Sequence, residues 1–353
     1  MSHHRAHLWP GVPLALGSAV LFGTSAPLTK WLVDSVDPWL LAGLLYLGAG
    51  VGLAFVHAGR RLIGLSDSEA PLRGSDLPWL AAVVVLGGML GPLLLVLGLS
   101  QTTASSGSLL LNLEGFATMA IAWIVFRENV DRRLLAGAGA ILAGALVLSW
   151  SGEGVRLDFG SVLIAAACLS WGIDNNLTRK LASVDPVQIA TIKGLVAGST
   201  NLVLALALGA APPTLGLIAA GGVVGFLGIG VSLVMFVLSL RHLGAARTGA
   251  YFSLAPFIGA ALGLLLFGEP MTPQLIAAGL LMAIGVWLHL AERHEHQHIH
   301  QALEHEHAHV HDEHHQHTHG GDVTEPHSHW HAHEPMRHTH SHYPDLHHRH
   351  GHS

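Results

Sequence analysis

The sequence predicts an all-α polytopic membrane protein: ten transmembrane helices in two inverted five-helix repeats, followed by a disordered tail. Three observations predict it. Half of the 353 residues are hydrophobic and only 11% are charged, whereas soluble domains carry about a quarter charged residues. Apolar runs of membrane-spanning length recur ten times. Short motifs from the first half return, in order, in the second.

A bilayer core of about 30 Å takes roughly 20 helical residues to cross. The runs that meet this ruler are 12–32, 38–57, 77–99, 103–126, 133–150, 160–180, 186–208, 216–240, 247–267 and 273–291. Several are apolar on every side, as in Leu80-Ala-Ala-Val-Val-Val-Leu86, which a soluble amphipathic helix would not be. The first run leads straight into a second span and reads as a retained helix, not a cleaved leader. Residues 1–11 form a cytoplasmic N-terminus, 12–150 the first repeat, 160–291 the second and 292–353 the tail.

Basic residues test the count, because cytoplasmic loops collect Lys and Arg. With the N-terminus inside, the inner loops hold Arg60, Arg61, Arg73, Arg127, Arg132, Arg133, Arg179, Lys180, Arg241 and Arg247, and the outer loops only Arg156. Both termini are therefore expected in the cytoplasm. The body holds 14 basic against 13 acidic residues, so no basic surplus exists to neutralise phosphates and a nucleic-acid partner is excluded. The single cysteine, Cys168, excludes a disulfide framework.

The repeats align by residue. Phe22-Gly23 and Leu28-Thr29-Lys30 return as Trp171-Gly172 and Leu177-Thr178-Arg179, and Ser35-Val36-Asp37-Pro38 as Ser183-Val184-Asp185-Pro186. Asn112-Leu113-Glu114-Gly115-Phe116 matches Ser253-Leu254-Ala255-Pro256-Phe257, and Phe126-Arg127-Glu128 matches Phe267-Gly268-Glu269. Five spans per repeat is an odd number, so the halves lie in opposite orientation, an arrangement tied to alternating access around a central site.

With the stretches Phe22-Gly23-Thr24-Ser25 and Thr103-Ala-Ser-Ser-Gly-Ser-Leu-Leu-Leu111, these motifs resemble the drug/metabolite transporter superfamily, EamA type. The resemblance covers about 12–291 and no part of the tail. It implies a carrier of small solutes in a bacterial-type inner membrane, frequently an exporter and often driven by a proton or solute gradient. The chain departs from the family pattern at Glu114-Gly115, where a proline is expected; the ninth span keeps Pro256.

An ionisable residue inside the hydrocarbon marks a functional suspect. Lys30, Glu114, Asp174 and Lys193 qualify. Glu114, near the middle of the fourth span, is the candidate proton or cation coupling group. Asp174 and Lys193 lie at equal depth on consecutive spans and could pair, as part of the pathway or as a structural clasp. Asn175 and Asn176 follow Asp174, and with Asn112 and Trp171 they complete the expected pathway lining. Lys30, near the outer end of its span, reads as an anchor. The pairs Gly48/Gly52, Gly87/Gly91, Gly221/Gly225 and Gly259/Gly263 read as packing elements. Neither a phosphate loop nor a nucleophile and base can be argued, so an enzyme is not expected.

The tail holds 23 of the 29 histidines and 10 of the 23 acidic residues. It has too little apolar surface to fold when free. His294, His296, His298, His300, His305, His307, His309, His311, His327, His329, His331 and His333 are candidate ligands for zinc, nickel, cobalt or copper. Interleaved Glu295, Glu304, Glu306, Asp312 and Glu313 could add oxygen ligands. No cofactor is required for transport. The expected function is secondary-active export of a small polar metabolite, with metal bound by the tail for buffering or regulation. Two alternatives stay open: efflux of nickel, cobalt or zinc itself, and a membrane-tethered metal store or sensor. The expected partners are a small-molecule solute, the lipid bilayer and divalent metal ions; a homodimer is open.

Overall fold

The computed structural model describes residues 11–62, 72–125, 132–150, 158–178, 181, 185–290 and, in the tail, 295–299, 303–309, 327–333 and 337–341. Residues 1–10, the Phe126-Arg127-Glu128 motif, Arg156, Arg179, Lys180, Ser183, Val184, His294, His300 and His311 lie outside the described residues.

The body is a helical bundle. Spans 1 and 2 are α1 (Gly11–Val33) and α2 (Pro38–Leu62). Span 3 is α3 (Leu77–Val83), a π-helical stretch (Val84–Leu90) and α4 (Gly91–Leu99). Span 4 is α5 (Ala104–Leu110) and α6 (Leu113–Ile124), and span 5 is α7 (Arg132–Leu148). Spans 6 and 7 are α8 (Phe159–Thr178) and α9 (Pro186–Ala207). Span 8 is α10 (Leu215–Gly225), a second π-helical stretch (Phe226–Val231) and the start of α11 (Ser232–Phe252). Span 9 is the end of α11 with α12 (Ala255–Phe267), and span 10 is α13 (Pro273–Leu290).

Six of these stretches are long and apolar enough to cross a membrane. Many large apolar side chains point outward, among them Phe55, Ile124, Leu215, Leu265 and Trp287. Water would not tolerate so much exposed apolar surface, and lipid does. Although α11 is helical throughout, it cannot be straight. The hydroxyls of Ser239 and Thr248 are 3.0 Å apart, whereas nine residues of straight helix would separate them by roughly 13 Å. Span 9 thus folds back against span 8, and Phe236 meets Phe252 edge-on with centroids 4.9 Å apart.

The recurring Ser-Val-Asp-Pro motif encodes a helix start. Asp37 Oδ1 accepts the N–H groups of Trp39 and Leu40 at 3.0 and 3.1 Å. Asp185 Oδ1 accepts that of Val187 at 2.8 Å. In both copies proline follows at the first helical position, where no N–H is needed. The irregularities are duplicated as well. The π-helical stretches begin at Val84 and Phe226, and span 4 breaks at Leu111-Asn112 where span 9 breaks at Ser253-Leu254. Each pair is 142 residues apart, within one residue of the 141 that aligns Asn112 with Ser253.

Helix contacts obey the same two-fold relation. Span 2 packs on span 7, span 5 on span 10, and span 4 on span 9; span 6 lies against spans 3 and 4 as span 1 lies against spans 8 and 9. The span 2/span 7 seam is built of small residues. A Cβ at Gly194 would strike the backbone of Gly50, and one at Gly198 that of Leu47, so any side chain here would force the helices apart.

The described tail segments form two antiparallel pairs: β1 (Glu295–Ile299) with β4 (Arg337–Ser341), and β2 (Leu303–His309) with β3 (His327–His333). A two-stranded pair alone is marginal in water, so these short ladders do not amount to a folded domain, which agrees with a tail expected to be disordered when free.

Candidate transport site

The π-helical stretch of span 3 organises the site. Inside a bilayer each backbone carbonyl needs a partner, and a π-helical stretch interrupts the regular ladder of bonds. Side chains of three other spans donate to the carbonyls here. Ser170 Oγ of span 6 donates to Leu86 O at 2.8 Å. Gly87 O accepts both Tyr46 Oη of span 2, at 2.9 Å, and Trp171 Nε1 of span 6, at 3.0 Å. Asn201 Nδ2 of span 7 donates to Met89 O at 3.3 Å.

The glycines of this stretch leave room for charge. A Cβ at Gly87 would land on the Asp174 carboxylate and close to Lys193 Nζ, and one at Gly91 on the Trp171 ring. The Gly87/Gly91 pair thus admits site side chains as well as neighbouring helices. In that space Lys193 Nζ donates to Asp174 Oδ2 at 2.5 Å. Thr178 Oγ1, one turn further along span 6, donates to Asp174 Oδ1 at 3.3 Å. Asp174 is 4% exposed, and Lys193 is half-buried.

A second polar group joins spans 4 and 6. Glu114 stands in the first turn of α6, directly after the break in span 4, where a carboxylate suits the positive end of the half-helix. Its Oε1 accepts Asn175 Nδ2 at 3.0 Å, and the same amide donates to Thr118 Oγ1 at 3.2 Å. Asn176 Nδ2 donates to the carbonyls of Thr118 and Gly172 at 3.0 and 2.8 Å, while its Oδ1 is buried without a partner. Asn175 is exposed and Glu114 half-buried, so this edge of the group opens outward.

Six of the seven expected pathway residues thus meet around span 6. Asn112 does not: it is buried at the span 4 break, where its amide donates to Leu109 O at 2.9 Å and touches Met282 of span 10. Tyr46, Thr118 and Thr178 were missed. Thr118 and Thr178 follow Glu114 and Asp174 by four residues, which places each on its acid's helix face; that spacing could have found them. Phe22 stacks on Phe252 of span 9, with centroids 5.3 Å apart.

The second half carries a neutral copy of the charged crevice. Gly228, in the span 8 π-helical stretch, stands where Gly87 does, and a Cβ there would meet Ser25 Cβ. Ser25 corresponds to Asp174 when Phe22 is laid on Trp171. Its hydroxyl donates to Phe22 O of its own helix at 2.6 Å. Where the halves meet at the far side of the bundle, Glu269, between spans 9 and 10, accepts the N–H groups of Ala104 and Ser105 at 2.7 and 3.0 Å. It thereby caps the start of span 4.

Comparison with known proteins places this architecture. The model of the EamA-like transporter family matches residues 9–150 and 158–291. An uncharacterized transporter of Methanothermobacter thermautotrophicus is 29% identical over 306 residues, 81% of this chain and 87% of that protein. A probable amino-acid metabolite efflux pump of Salmonella typhimurium is 27% identical over 294 residues, 78% and 93% of the two chains. A solved crystal structure, 18% identical, superposes with a TM-score of 0.58 over 79% of this chain and 95% of its own, which shows the shared fold. With both halves matched in full, this multi-pass membrane protein belongs to the EamA-like transporter family.

Proposed function

We propose that the protein is a secondary-active exporter of a small polar metabolite, set in a bacterial-type inner membrane with both termini in the cytoplasm. The observation that carries this reading is the Asp174–Lys193 ion pair beside the Glu114–Asn175 contact, charge of both signs held within apolar helices. A solute bearing an ammonium and a carboxylate could exchange with that pair, its carboxylate meeting Lys193 and its ammonium Asp174 or Glu114. The Salmonella relative's name, an amino-acid metabolite efflux pump, points to the same chemistry. The duplicated breaks in spans 4 and 9 supply the discontinuous helices on which carriers of inverted-repeat design form their sites.

The test is uptake of a panel of radiolabelled polar metabolites into everted vesicles under an imposed proton gradient. Gradient-dependent accumulation of an organic solute is expected, with at least a tenfold loss in Glu114→Gln, a change that keeps an acceptor for Asn175. Accumulation of zinc, nickel or cobalt in place of every organic solute would refute the reading. So would accumulation no greater than in vesicles lacking the protein.

A further inference from the structure

One end of the bundle is shut by contacts between the two repeats. Span 9 ends at Gly268, whose left-handed conformation (φ 60°) closes α12 and is one that glycine takes without strain. The next residue, Glu269, leaves this turn against the start of span 4 and accepts the N–H groups of Ala104 and Ser105. Those groups head α5 and have no partner within the helix. From there toward the break at Leu111-Asn112, spans 4, 9 and 1 close on one another through small residues. A Cβ at Gly263 would lie 2.7 Å from Ser105 N, one at Gly259 would lie 2.7 Å from both Ser108 Oγ and Gly23 O, and one at Gly23 would strike Ala255 O. Helices packed backbone to backbone leave no passage for a solute.

Two observations mark this seam as one that parts. Ser108, midway along it, is 1% exposed, and its hydroxyl has no partner among the described residues. A dry, unpaired hydroxyl costs free energy, and it regains water once the seam opens. The second observation is a contrast at the same end of the bundle. There span 10 is tied to span 5 by Gln274, whose amide donates to Val147 O at 2.9 Å and to Trp150 O, along a pair of helices in contact over their length. Spans 4 and 9 instead cross only through α5 and α12, the halves on this side of their breaks, and a single side chain from a turn joins their ends. We infer that Glu269 is the latch of this gate: it holds span 9 on span 4 over the transport site and must release Ala104 and Ser105 before that end can open. It is a positioning residue, acting through the two helices and not on the solute. In the orientation proposed above, the gate stands between the bound solute and its exit.

The inference rests on reading the protein as an alternating-access carrier, but its test reads the gate and not the cargo. Vesicle uptake decides the export reading; access to a buried cysteine decides the latch. Ser108→Cys in a Cys168→Ala background is labelled with a soluble maleimide in full-length protein in nanodiscs, where both faces are reached. Slow labelling is expected while the latch is intact, at a rate set by the open population. Glu269→Ala should raise it about tenfold or more, the factor for losing one hydrogen bond to a charged group at about 1.4 kcal/mol per decade. Glu269→Gln, which keeps one acceptor, should fall between. Gln274→Ala, which removes a bond between repeats at the same end but from the span 5/span 10 joint, should label as slowly as the parent. A Glu269→Ala rate equal to the parent's would make the carboxylate a plain helix cap, and an equal rise in Gln274→Ala would make the effect a general loosening. Either result overturns the latch.

Discussion

Removing one partner of the Asp174–Lys193 pair gives the sharpest test of the bundle interior. In Lys193→Met the Asp174 carboxylate keeps, among the described residues, the Thr178 hydroxyl at 3.3 Å. Breaking a buried ion pair on one side costs about 3–5 kcal/mol. Here the side chain of Asp174 is 5% exposed and that of Lys193 17%, so the lower end applies, about 3 kcal/mol. At 1.36 kcal/mol per decade this is roughly a 150-fold shift in the folding equilibrium. Asp174→Asn strands the ammonium and should cost a similar amount. The double variant Asp174→Asn/Lys193→Met removes both charges and should recover to within about 1 kcal/mol of the parent. Reversible unfolding in mixed micelles, followed by tryptophan fluorescence, measures all three. Single variants within about 0.5 kcal/mol of the parent, or a double variant as unstable as the sum of the singles, would refute the pairing argument. Flux then separates the roles: a double variant that is stable but inactive places the pair in the pathway, and one that is stable and active makes it a clasp.

Three further outcomes follow. Gly87→Ala, whose new methyl would occupy the space of the Asp174 carboxylate, should cost about 1–3 kcal/mol by overpacking and abolish flux, read by the same unfolding assay and by vesicle uptake. Glu269→Ala removes the acceptor for the Ala104 and Ser105 N–H groups and should cost about 1–2 kcal/mol, with Glu269→Gln intermediate, as thermal melting in detergent will show. A chain ended after Arg293 retains the whole family match. It should transport at the parent rate in the vesicle assay.

Much of this architecture was legible because it rests on length, apolarity and duplication. The span boundaries fall within a few residues of the runs read from the sequence, and the Asp174–Lys193 contact follows from equal depth on consecutive helices. Two things were not legible. In the π-helical stretch of span 3 side chains distant in sequence donate to the carbonyls, and Tyr46, Trp171, Ser170 and Asn201 come from three separate spans. Asn112 was expected with the other pathway residues, and the break in span 4 sets its amide against Met282 of span 10, apart from the group around span 6.

The charged crevice at Gly87 and its neutral copy at Gly228 have a consequence for energetics. A carrier with two identical halves would exchange between mirror-image end states of equal energy, and an external gradient alone would set its resting pose. With a carboxylate and ammonium in one crevice and the Ser25 hydroxyl in the other, closing over either side is a different event. One closure withdraws ions from water and the other does not. On the proposed reading the chain carries its own bias between the two poses, and solute that neutralises the pair would shift it.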